Sequence, residues 1–160
     1  MNSRPTIRMH LRPGSARRRG AVYLAILGVS MIITVIGVSA VLASRVQTRM
    51  ADSARRAQNA QHAAQSAIEF ARLQIKNNAA WRSTYSNNTW VSDVTFAQAT
   101  FTFKLVDEID GNLANDVTQP VRLHGKASSG SATRLLSVEL APDASNRMVP
   151  VSGTWRQEVQ

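Results

Sequence analysis

Between Ala21 and Ala43 the chain runs for 23 residues, AVYLAILGVSMIITVIGVSAVLA, without one charged side chain. At about 1.5 Å of rise per helical residue, such a run covers the ~30 Å hydrocarbon thickness of a bilayer with slight tilt. A chain built on this feature inserts one helix into a membrane. With 160 residues in all, it then has material left for one small folded domain. The boundary is abrupt: Arg17, Arg18, Arg19 and Gly20 stand directly before the run, and Arg45 follows two positions after it.

The charge balance follows from this topology. Nineteen basic residues against ten acidic ones resemble a nucleic-acid binder's composition, but Arg4, Arg8, Arg12, Arg17, Arg18 and Arg19 all precede the apolar run. Without the first 20 residues the excess falls to 13 basic against 10 acidic, and Arg45, Arg49, Arg55 and Arg56 lie close behind the span. The basicity therefore reports membrane orientation, and no nucleic-acid partner is expected. Six arginines before the span and four after it, the latter offset by Asp52, favour a cytoplasmic N-terminus and an extracytoplasmic C-terminal domain in a single-pass inner-membrane protein. The leader, residues 1–20, has two prolines, two glycines and no apolar periodicity, so it is expected to be disordered. Arg17, Arg18 and Arg19 would anchor it to anionic lipid. Cysteine is absent, which removes disulfides, thiol chemistry and cysteine zinc sites.

No glycine or proline occurs between Gly37 and Gly111, so helix is expected to continue past the span. From Ser44 to Lys76, the residues Val46, Met50, Ala54, Ala57, Ala64, Ile68, Ala71 and Ile75 recur at helical steps and form one narrow, alanine-rich face. Two arrangements fit: one unbroken helix, or a membrane helix and a separate amphipathic helix meeting near Ser44. The stretch KNNAAWRSTYSNNTW carries the asparagine and serine clusters that end helices. Beyond it, alternation puts Phe101, Phe103 and Leu105 on one face of a strand, Val121 and Leu123 on a second, and Leu136, Val138 and Leu140 on a third. Arg122 and His124 are assigned to the opposite, outward face. Turn residues between these strands predict a three- or four-stranded antiparallel meander. A sheet that small needs a partner, and the helix around Ile68 to Ile75 is the available one, with Trp81 and Trp90 sealing the junction. The fold class is α+β: leader 1–20, transmembrane helix 21–43, extracytoplasmic helical extension 44–76, and small antiparallel sheet domain with a loose tail 77–160.

A basic leader ending in RRRG, a charge-free helix from the next residue, an alanine-rich extension (ADSARRAQNAQHAAQSAIEFARLQI) and a small antiparallel sheet resemble a type IV pilin-like protein or a type II secretion pseudopilin. The extension is similar in character to PilX-like minor pilins and to the tip pseudopilin of type II secretion. The resemblance implies cleavage between Gly20 and Ala21 by prepilin peptidase, and assembly with other pilin-like subunits through the N-terminal helix. Ala25 stands at the fifth mature position, where most such proteins carry glutamate. Helix packing would then rest on small residues, with Ala21, Ala25 and Gly28 as one stripe and Gly37, Ala40 and Ser44 as another. The function implied is that of a non-enzymatic minor subunit of a type IV pilus or type II secretion pseudopilus. The alternative is an unprocessed signal-anchor protein presenting a small extracytoplasmic interaction domain. A signal peptide cut after Ala43 is disfavoured, because the run exceeds the about 7–15 apolar residues of such signals.

No catalytic constellation, cofactor motif or metal set is read from the sequence. His10, His62 and His124 are dispersed and read as surface residues. The loop VDEIDGNLANDV invites a calcium reading of residues 107–116. It fails the EF-hand template, since placing Gly111 sixth puts Val106 and Val117 where ligands are required. The sequon at Asn87 to Thr89 is of a kind that often arises by chance.

Overall fold

The structure, a computed structural model, describes residues 16–158, with side chains from Gly20 onward. The expectation of a disordered leader lies outside the described residues for positions 1–15, as does His10. For 16–20 it is corrected, because α1 (Ala16–Asn77) already begins at Ala16 and takes in the three arginines. Arginine is a good helix former, and Gly20 is a weak interruption inside a strong helical pattern. One compact unit ends at Thr48 and a second begins at Arg49.

The first unit is helical from Ala16. Every large apolar side chain from Val22 to Leu42 is 55–76 % exposed within the chain itself. Polar groups inside the run fold back on the backbone: Thr34 donates from Oγ1 to Ser30 O at 2.8 Å. That bond satisfies a hydroxyl that hydrocarbon would leave unpartnered.

In the second unit, Ala60, Ala64, Ala67, Ile68, Ala71 and Ile75 of α1 are buried under an antiparallel sheet. The sequence stripe is thus occupied only in its distal half. Met50, at the start of α1 within this unit, remains exposed, and Val46, in the first unit, is exposed as well. After α1, a single short turn of helix, α2 (Trp81–Thr84), leads into the strands. These are β1 (Val94–Phe96), β2 (Ala99–Val106), β3 (Val121–Ser129), β4 (Ala132–Pro142), β5 (Met148–Pro150) and β6 (Arg156–Glu158). The order is β1-β2-β3-β4-β5, with β6 also on β4.

The three strands read from sequence form the centre of the sheet, and three short strands are added. Their three-residue length hides them from a periodicity reading. They nevertheless cover the sheet edges: β5 and β6 pair with residues 140–142 and 135–137 of β4. On the other side, Asn88 N and Val91 N donate to Leu105 O and Phe103 O of β2. Unpaired edges invite intermolecular pairing, and these segments remove most of that opportunity.

The core places Phe103, Leu105, Leu123, Val138 and Leu140 of the sheet against the alanine seam, each 2 % exposed or less. Phe70 meets Phe101 and Phe103 edge-on, with ring centroids 5.8 and 6.3 Å apart. The close approach is made possible by Gly125. A Cβ built there would lie 2.7 Å from Ala64 O and 2.8 Å from Ile68 Cγ1. Small residues on both surfaces thus let strand backbone approach helix backbone.

Candidate functional site

The residues singled out for membrane insertion and helix packing all lie on α1, and each of Gly20, Ala21, Ala25, Gly28, Gly37, Ala40 and Ser44 is exposed. Around each of Gly20, Gly28 and Gly37 the space a Cβ would take is open to 4 Å. At about 100° per residue, Ala21, Ala25 and Gly28 share one face and Gly37, Ala40 and Ser44 another, roughly 130° further round. The helix therefore presents two separate small-residue stripes, not a continuous seam. What this segment offers chemically is an apolar surface long enough to cross a bilayer.

The outer face of the sheet carries one cluster of charged groups. Arg122 donates from Nε to Glu108 Oε1 at 2.6 Å and lies 3.7 Å from Glu139. The bond from Arg122 holds the Glu108 carboxyl below its usual range. His124, expected at the surface, is buried. In register it stands between Lys104 of β2 and Ser137 of β4, so the strands on both sides flank a ring that strict alternation would place at the surface. Burial lowers its pKa, partly opposed by Glu158, whose Oε2 lies 3.3 Å from Nδ1.

Ser137 faces His124 across the β3–β4 pair, so serine, histidine and glutamate stand in the order of a hydrolase triad. Ser137 is fully buried and its Oγ makes no hydrogen bond, so no substrate carbonyl reaches it. Trp90, expected to seal the junction, instead lies 38 % exposed, with Lys104 Nζ and Lys126 Nζ 5.0 and 5.8 Å from its ring centroid. Trp81 does enter the core.

The acidic loop between β2 and β3 is organised by a residue the sequence did not flag. Buried Arg82 donates from Nη1 to Leu113 O at 3.1 Å, and from Nη2 to Gln119 O at 2.6 Å and Val117 O at 3.3 Å. A guanidinium thus occupies the point where the loop carbonyls converge. Asp107, Asp110, Asn112 and Asp116 accept bonds from backbone N–H groups two or three positions on, as turn-forming residues do. Among the described residues, no group of three or more histidines or carboxylates could share a metal ion. The sequon's Asn87 accepts from Asp107 N at 2.7 Å, which ties the preceding segment to this loop.

A groove of about 920 Å³ runs between the end of α1 and the β4–β5 turn, over Ile75, Trp81 and Met148. Arg72 and Arg147 in its lining are already paired with Glu69 and Asp143, and among the described residues Lys76 has no such partner.

No protein-family model matches the chain, and neither a curated protein nor a solved structure matches it.

Proposed function

We propose that this protein is a non-enzymatic minor subunit of a type IV pilus or type II secretion pseudopilus, inserted in the membrane by α1 and assembled through it. One observation carries the reading. The charge-free run begins directly after Gly20 on a helix whose distal part is the core partner of an antiparallel sheet. Arginines before the run suit a cytoplasmic N-terminus, and Gly20 gives a peptidase a backbone position without side-chain bulk.

Ala25 sets the role within the assembly. A carboxylate at that depth is tolerated only when paired, for instance with a neighbouring subunit's N-terminal amine. With alanine there, the chain offers its own amine but receives none. One-sided pairing suits a scarce tip or initiating subunit. Ala25 equally favours the second reading, an unprocessed signal-anchor that does not assemble.

N-terminal sequencing of protein extracted from membranes separates the two, since processing yields Ala21 as the first residue. A mature chain still starting near Met1 removes the pilin reading. Quantitative mass spectrometry of sheared filaments tests the scarcity: abundance equal to the principal subunit would sink the tip assignment.

A further inference from the structure

The second unit has one end at which charge and exposed apolar surface coincide. Strand register defines that end. The row Phe96, Ala99, Ser129 and Ala132 is the last of the sheet, and the turns 97–98 and 130–131 project beyond it. The two turns are tied together by Ser129 Oγ, which donates to Gln98 O at 3.3 Å. They lie toward the start of α1 within this unit, because a Cβ on Gly130 would sit 3.2 Å from Arg56 Cδ, whereas Gly125 lies against Ala64 and Ile68.

Phe96 is 75 % exposed, on the same side of the sheet as Val94, which packs on the core. Arg134 lies two residues inward from this row on that same side, paired with buried Ala127 and half-buried itself. Arg49, Arg55 and Arg56 of α1 are exposed. Among the described residues, none of these four arginines has a carboxylate within 4.0 Å, and Asp52 is the one acid between Arg49 and Arg56.

We infer that this end of the unit docks on an anionic lipid surface, with Arg49, Arg55, Arg56 and Arg134 on headgroup phosphates and the Phe96 ring in the interface. Charge complementarity selects the occupant: four unpaired guanidiniums match phosphates laid out in a plane, and an exposed aromatic at a turn suits the headgroup level. Chain connectivity supplies the surface. Arg49 follows Ala43 by six positions, and six residues reach at most about 20 Å even when extended. If Ala21–Ala43 spans a bilayer, this end stays within reach of its headgroups. The inference needs only membrane insertion, so it holds whether or not the chain is processed or assembled.

The test uses the full chain in vesicles. Because the protein has no cysteine, Phe96→Cys carries a single polarity-sensitive fluorophore. In vesicles containing phosphatidylglycerol the emission should shift to shorter wavelength and be quenched by headgroup-labelled lipid. In pure phosphatidylcholine neither should occur. The shift should vanish at 1 M salt, where the screening length falls to about 3 Å. It should also vanish in Arg49→Gln/Arg55→Gln/Arg56→Gln, whose circular dichroism should match the parent because these side chains are exposed. Water-like emission in both lipids overturns the proposal. So does an equal, salt-insensitive shift in both, which indicates burial against another copy of the chain.

Discussion

Replacing Gly125 with alanine adds one methyl group where β3 lies against α1, and two effects of opposite sign compete. Gly125 has ordinary extended backbone, so alanine would stabilise the fold by about 0.4–1 kcal/mol through the unfolded chain's lower entropy. Against this, the new Cβ would stand 2.7 Å from Ala64 O, 2.8 Å from Ile68 Cγ1 and 3.3 Å from Ala67 Cβ. The nearest atom is helix backbone, so no rotamer change relieves the clash and the strand and helix must separate. Overpacking of this kind costs about 1–3 kcal/mol. The net expectation is roughly 1–2 kcal/mol of destabilisation, or about 4–8 °C in Tm for a unit of this size. Thermal unfolding of the full chain in detergent, followed by near-ultraviolet circular dichroism and the emission of buried Trp81, measures it. Adding Ile68→Ala should not restore stability, because the Ala64 carbonyl remains. A Gly125→Ala protein with unchanged or higher Tm would refute the close-packed seam.

Arg82→Met should leave the Leu113, Val117 and Gln119 carbonyls without their donor, cost about 2–3 kcal/mol, and raise amide exchange across 107–120 more than in the strands. Burial lowers the His124 pKa in the folded state, so the unfolded chain binds the proton more readily. Stability should therefore fall as pH drops through and below about 6.5, the ordinary value, and His124→Gln should flatten that limb of the profile. A fragment starting at Thr84 lacks the seam residues Ile68 and Phe70, exposes Phe101, Phe103 and Leu105, and should elute as aggregate in size-exclusion chromatography. A monomeric, folded fragment would show that the sheet does not need the helix.

The features that were legible in the sequence are those set by repetition. Twenty-three uncharged residues, the 3.6-residue recurrence of Ala64, Ile68, Ala71 and Ile75, and the two-residue alternation in β2 to β4 each average over many positions. What escaped depends on single residues. Gly125 carried a signal, since a glycine inside a strand pattern marks a bulge or a close backbone approach. Arg82, in a polar loop stretch, carried none, because its role depends on carbonyls more than 30 positions away. His124 and Trp90 exchanged their expected settings for the same reason. Alternation says which way a side chain leaves the strand, not what neighbouring side chains do above it.

The alanine seam also bears on the order in which the protein is made. Gly125 is 61 positions after Ala64, so at about 5–20 residues per second the seam waits some 3–12 s for the strand that will cover it. A seam of leucine or phenylalanine would spend those seconds as a sticky surface for chaperones and other nascent chains. Alanine exposes little apolar area, and it keeps the helix formed without a partner. The same choice that lets the finished strand come close makes the unfinished helix a quiet template while the rest of the chain is synthesised.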